Sequence, residues 1–192
     1  MHPLNYKGQR LITDAGILVK HSFLANYEIE GERAVEQSSN ALLNAEALSD
    51  KEQSIKKGLK NPLVARNVKV TGNAAGIIGD VIISGTNFAD ELITESISLN
   101  GDITVEGNKA FKTVTSIVLP TETNKGTDTV SVGYGNKLGL PYKLSRTTVL
   151  SAFRESEQCK FTVTTSEIEI ENNTVLVDKA LNESQINIYL MV

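Results

Sequence analysis

The stretch Leu92-Ile93-Thr94-Glu95-Ser96-Ile97-Ser98-Leu99-Asn100-Gly101-Asp102-Ile103-Thr104-Val105 decides the fold class. A short run of β-branched and apolar residues closes on Asn-Gly, a pair suited to the positive φ of tight turns. Ile103-Thr104-Val105 then reads as the return strand of a hairpin. The same grammar repeats outward from it. Upstream, Val68-Lys69-Val70 runs into Thr71-Gly72-Asn73, and Val81-Ile82-Ile83 lies between Gly79-Asp80 and Gly85-Thr86-Asn87. Downstream, alternation places Phe111, Thr113, Thr115 and Ile117 on one face and Lys112, Val114, Ser116 and Val118 on the other. Pro120 ends that run, because proline cannot donate to a ladder.

Further along, Val130-Ser131-Val132 precedes Gly133-Tyr134-Gly135-Asn136, which reads as another turn. Strand-like runs follow at Thr147 to Phe153, Phe161 to Thr165, Glu167 to Glu171, Thr174 to Val177 and Gln185 to Val192. The last sets Ile186, Ile188 and Leu190 on one face by strict alternation. Many short strands with turn signals between them, and no helical period, predict an all-β protein. The expected architecture is an antiparallel β-sandwich, Ig-like or jelly-roll-like, over residues 53–192, with an N-terminal extended arm or attachment segment over residues 1–52.

The first part of the chain obeys no clean period. Residues 1–40 read as an arm that gains order from a neighbour, or as an N-terminal strand pair of the same domain. Ala41 to Leu48 is good helix material, and Ser49-Asp50-Lys51-Glu52 fits a capping box. Residues 53–58 are read as strand, the first of the sandwich.

Bulk properties narrow the function. The 192 residues carry 19 Lys and Arg against 23 Asp and Glu, a net charge of −4. Residues 1–60 hold 8 basic and 8 acidic side chains, leaving 11 and 15 for residues 61–192. Neither part has the basic excess that phosphate neutralisation requires, so no nucleic-acid partner is expected. No apolar run reaches 18 residues, so no membrane span is expected either. Met1 to Lys7 lacks the apolar core of a secretion signal, and the sequons at Asn172 and Asn182 read as chance. The absence of Trp argues against a saccharide site of stacked indoles.

Chemistry-bearing residues are sparse. Cys159 is the single cysteine, which excludes a disulfide framework, and it reads as a small side chain on a strand. His2 and His21 are the only imidazoles and build neither a Ser-His-Asp set nor a zinc site. Gly133-Tyr134-Gly135-Asn136-Lys137-Leu138-Gly139 fails both nucleotide-loop templates. Gly72-Asn73-Ala74-Ala75-Gly76 reads as a loop where backbones approach closely. Asp80, Asp90, Asp102 and Asp128 sit beside turns without calcium-loop spacing and read as solvated turn caps. Glu167, Glu169 and Glu171 read as the solvated face of an edge strand. No catalytic residue, cofactor or metal is expected, and the chain is not expected to be an enzyme.

One resemblance supplies a context. Asn67 to Gly76, Gly79 to Asn87, Asn100-Gly101, Asn108 to Ile117, Gly126 to Gly133 and Lys137 to Tyr142 together resemble a group of virion proteins of tailed phages and prophages of Gram-positive bacteria. The likeness covers roughly residues 53–192 and is looser upstream. It implies a non-enzymatic structural protein of the particle, foremost a decoration protein on the outer capsid surface. The implied partners are the major capsid protein and further copies of the chain, a trimer being one such assembly. The implied location is the capsid surface of a virion assembled in the host cytoplasm. A tail or baseplate component is the alternative. A host-surface carbohydrate-binding module using Tyr134 and Tyr142 on adjacent loops is a further one.

Overall fold

The computed structural model describes residues 22–192 and, upstream, one short ladder between Leu11–Ile12 (β1) and Leu18–Val19 (β2). Fourteen further strands follow: β3 (Leu24–Ile29), β4 (Ser38–Ala47), β5 (Gln53–Ile55), β6 (Arg66–Gly72), β7 (Asp80–Thr86), β8 (Leu92–Ser98), β9 (Val105–Phe111), β10 (Thr113–Leu119), β11 (Thr129–Gly139), β12 (Val149–Arg154), β13 (Glu157–Cys159), β14 (Phe161–Thr164), β15 (Thr174–Val177) and β16 (Ile186–Met191). Beyond the β1–β2 ladder they form three antiparallel sheets, one of them curled into a half-barrel. The orders are β5-β10-β7-β8, β14-β15-β11-β6-β9 with β4 also on β11, and β13-β12-β16-β3.

The central sheet serves two hydrophobic clusters. The first gathers Leu42, Val68, Val70, Val81, Ile83, Phe111, Ile117, Val130 and Val132, drawn from the β5–β8 sheet and the central one. The second gathers Ile29, Val64, Leu138, Leu140, Val175, Ile186, Ile188 and Leu190. Alternation on β11 carries one face through Val130, Val132, Tyr134, Asn136 and Leu138, so a single strand enters both clusters. Ile186, Ile188 and Leu190 are all buried, as their alternation predicts.

Several local expectations change. Ala41 to Ala47 is strand rather than helix, because Leu42 and Leu43 are both drawn into the first cluster. Burying two consecutive residues requires a bulge. Leu43 faces Val132 and Ser38 faces Tyr134, which places extra residues of β4 around Leu42, and a second irregularity between Leu43 and Glu46 holds Ala45 at a φ of 43°. Tertiary burial has overridden helix propensity. Residues 24–47 are likewise not an arm: β3 pairs with β16 and β4 with β11, both within this chain. The part of the expected arm in residues 1–21, apart from the β1–β2 ladder, lies outside the described residues, as do His2 and His21.

The Asn100-Gly101 turn exists, with Gly101 at a φ of 61°, but it joins no hairpin. β8 pairs only with β7 and β9 pairs with β6, so this turn carries the chain from one sheet to another. The even alternation read from Phe111 to Leu119 also breaks. β9 ends at Phe111, and a bulge between Val114 and Ser116 lets Val114 and Ile117 both point inward.

Gly133 to Asn136 is no turn either; it lies within β11, the longest strand. A Cβ on Gly133 would collide with the carbonyl oxygen of Ser38, and one on Gly135 with the Asn67 side chain. These glycines mark close approach, the other common reason for glycine in a strand. The loop Gly72 to Gly76 does bring backbones together: a Cβ on Gly72 would lie 2.6 Å from the Gly101 oxygen. Glu167 to Glu171 forms no strand, and Ile170–Asn172 is a 3-10 turn that buries Glu171.

Candidate interaction surfaces

Two of the fully buried polar side chains, Arg66 and Asn67, are neighbours on β6. From Val64 just ahead of β6 into the strand, the alternate positions read Val64, Arg66, Val68 and Val70, a cation set in an apolar row. Arg66 is fully buried. Its Nη1 donates to the Val35 carbonyl at 2.8 Å and its Nη2 to Asn136 Oδ1 at 3.1 Å. Its guanidinium carbon stands 4.6 Å from the centre of the Tyr134 ring, a cation–π contact. Nε has no partner. Burial pulls the Arg66 pKa down to about 10, opposed by Tyr134 and Glu36.

The opposite face of β6 carries Asn67 and Lys69. The Asn67 amide donates to Gly107 O at 3.1 Å and Glu106 Oε2 at 3.3 Å, and its oxygen accepts the Lys137 N–H at 3.0 Å. Lys69 donates to Gln37 Oε1 at 3.0 Å. Burial lowers its pKa, Glu106 raises it and Arg66 lowers it further. Gly135 lacks the Cβ that would displace Asn67. Nearly every polar atom in this seam is matched to a fixed protein partner, which is the state of a structural network rather than of a reacting centre.

The two sheets around the first cluster meet differently along their two flanks. On one flank β8 and β9 are not paired through their backbones. Instead the Glu95 carboxylate on β8 accepts the N–H of Asn108 at 2.6 Å and of Lys109 at 3.3 Å on β9. Burial raises the Glu95 pKa, while those two amides and the ammoniums of Lys109 and Lys137 restrain the rise. A Cβ on Gly107 would collide with this carboxylate. Beside it, Lys137 donates to Asn108 Oδ1 at 3.0 Å, and Thr164, Ser166 and Thr174 help line a polar groove.

On the other flank β4 and β5 stay apart. Among the described residues each is paired along one edge only, β4 with β11 and β5 with β10. A groove of about 620 Å³ lies between them, floored by Leu42, Leu43 and Ile55 and rimmed by Lys56, Lys57 and Lys60.

The remaining residues singled out in the sequence disperse. Cys159 is buried on β13, as a small strand side chain. Asp80 accepts Ser98 Oγ at 2.7 Å, Asp90 pairs with Lys112 at 2.7 Å, and Asp102 is exposed. Asp128 does cap a turn, accepting the N–H of Asn124 at 2.6 Å and of Thr123 at 2.7 Å, but it is buried rather than solvated. The Asn124 amide, ahead of its side chain and the Thr123 amide, holds the Asp128 pKa low against desolvation. Glu171 is 6% exposed and lies 3.4 Å from Lys109, with Asn87 donating at 3.1 Å. Burial would raise its pKa, but its own backbone amide, Asn87 and Lys109 together bring it below the ordinary value.

Tyr134 lies in β11 under Arg66, and Tyr142 packs against the second cluster; they are not on adjacent exposed loops. Among the described residues no three His, Cys, Asp or Glu side chains are grouped to hold a metal ion. Comparison of the chain with protein-family models, with curated proteins and with solved structures found no match.

Proposed function

We propose that this chain is a non-enzymatic structural protein of a phage particle, a decoration protein that binds the outer surface of the capsid. The reading begins with the sequence resemblance. The observation that carries it further is where those residues lie. Most of Asn67 to Gly76, Gly79 to Asn87, Asn108 to Ile117, and Gly126 to Gly133 with Lys137 to Tyr142 falls on β6, β7, β9–β10 and β11, while Asn100-Gly101 is the turn between β8 and β9. Their strand residues frame the first cluster, with Leu138 and Leu140 entering the second. A shared pattern in a frame supports a shared architecture, here read as a sandwich-type packing of the β5–β8 sheet on the central one, Ig-like or jelly-roll-like. The seam around Arg66 adds support of a second kind, since its polar groups are committed to holding two clusters together.

In this role the partners are the major capsid protein and further copies of the chain around a symmetry axis, a trimer being the simplest closed form. Reconstruction of intact particles by cryo-electron microscopy tests the proposal. Density for this chain at icosahedral positions on the shell is the expected outcome. Density confined to the tail would replace it with the tail-component reading, and absence from the particle would overturn both.

A further inference from the structure

We infer that the groove between β4 and β5 receives an extended acidic segment of a partner protein, added as a strand along the open edge of β4. Three observations carry this. First, among the described residues both bordering strands have one edge with no strand partner. Among the described residues a single backbone hydrogen bond, Lys60 N–H to Leu42 O at 3.2 Å, crosses from residues 53–60 to β4. An exposed edge with free N–H and C=O groups is a template for another strand.

Second, the floor is apolar while the walls are polar. Leu42 and Leu43 belong to the first cluster and Ile55 packs against it, while Asn40, Asn44 and Ser54 face outward. A strand laid there would place alternate side chains against this floor and the others toward the rim.

Third, the rim is cationic. Lys56, Lys57 and Lys60 are exposed, and among the described residues none lies within ion-pair distance of a carboxylate. Glu46 is the one acidic residue lining the groove. This excess stands out on a chain whose net charge is −4. Complementarity therefore selects an incoming segment in which carboxylates alternate with apolar residues. On the opposite flank the Glu95 carboxylate already takes the Asn108 and Lys109 N–H groups of the facing strand, and the groove beside it is polar rather than floored by leucines.

The inference does not rest on the virion reading, and the two fail separately: one through particle density, the other through the peptide measurement below. The probe is a fluorescein-labelled ten-residue peptide alternating Glu with Val, compared with one alternating Lys with Val. Anisotropy at low ionic strength is expected to give saturable binding of the acidic peptide alone. Hydrogen exchange should show added protection at Asn40–Glu46 and Ser54–Lys56. Lys56→Glu, Lys57→Glu and Lys60→Glu together should weaken binding by at least about tenfold. The corresponding three changes to Gln should weaken it less, with thermal melting confirming that both variants stay folded.

Absence of saturable binding, equal binding of the two peptides, protection elsewhere on the protein, or indifference to charge reversal would each overturn the inference. Self-association of the wild type that the three Glu changes abolish would overturn it as well, since the occupant would then be a second copy.

Discussion

The two flanks of the first cluster solve one geometric problem in opposite ways. Two sheets that share a core must end somewhere, and each end exposes unpaired strand edges. At β8 and β9 a single carboxylate, Glu95, bridges the gap by accepting two amides of the facing strand. At β4 and β5 no side chain among the described residues does so, and the edges stay open beneath three lysines. Since the sheets and the cluster are common to both flanks, the difference lies in one side chain and one pair of glycines. Gly107 makes room for the Glu95 staple, and Gly133 lets β4 lie close on β11.

The largest break in this comparison comes from Gly133→Ala. The new Cβ has nowhere to go but into the Ser38 backbone, so β4 must lift from β11. A loss of about 3 kcal/mol is expected, read as a lower midpoint in urea unfolding with hydrogen exchange rising first along β4. Glu95→Ala should cost less, roughly 2 kcal/mol, because it strands two amide donors without disturbing a backbone. Exchange at Asn108 and Lys109 should accelerate selectively. If it does not, the flank is closed by something other than this carboxylate.

A pH series sharpens the same point. The folded Glu95 carboxyl titrates above its ordinary value of 4.5. Between that value and its raised pKa the folded state binds more protons than the unfolded state. This group therefore makes stability rise as pH falls through the raised pKa. Glu95→Gln should remove that component from a plot of stability against pH. Asp128 and Glu171, with lowered pKa values, act in the opposite sense: their stabilisation is lost as pH falls through those lowered values. The smallest effect belongs to the open flank. Reversing Lys56, Lys57 and Lys60 should change stability by no more than about 0.5 kcal/mol, since none is paired with a carboxylate among the described residues. A large loss would mean that the rim supports the fold.

The sequence displayed the strands well and their partners poorly. The alternation from Ile186 to Leu190 is legible because one buried face leaves a period of two, and Thr174 to Val177 is legible as a short β-branched and apolar run. Bulges erase that period. At Val114 and at Leu42-Leu43 an extra residue puts neighbours of opposite parity on the same side. Asn100-Gly101 announced a reversal, yet nothing local encodes whether the chain returns in its own sheet or crosses to the next. Glycine was the most ambiguous signal. In Gly133 to Gly135 it means proximity to Ser38 and Asn67, neighbours far away in sequence. The seam was missed, although Arg66 interrupting Val64, Val68 and Val70 was its visible trace. The open groove had no trace, because an edge is defined by the absence of a neighbour.

The pairing of β3 with β16 has a consequence in time. Leu24 meets Met191 and Ile29 meets Ile186, across most of the chain. On a ribosome adding about 5–20 residues each second, β3 would wait roughly ten to thirty seconds before its partner strand emerged. Throughout that interval Ile29 and Tyr27 would have no sheet to cover them. Completion of the third sheet thus waits for β16, and a product stalled or truncated before it would expose a sticky strand to whatever lay nearby.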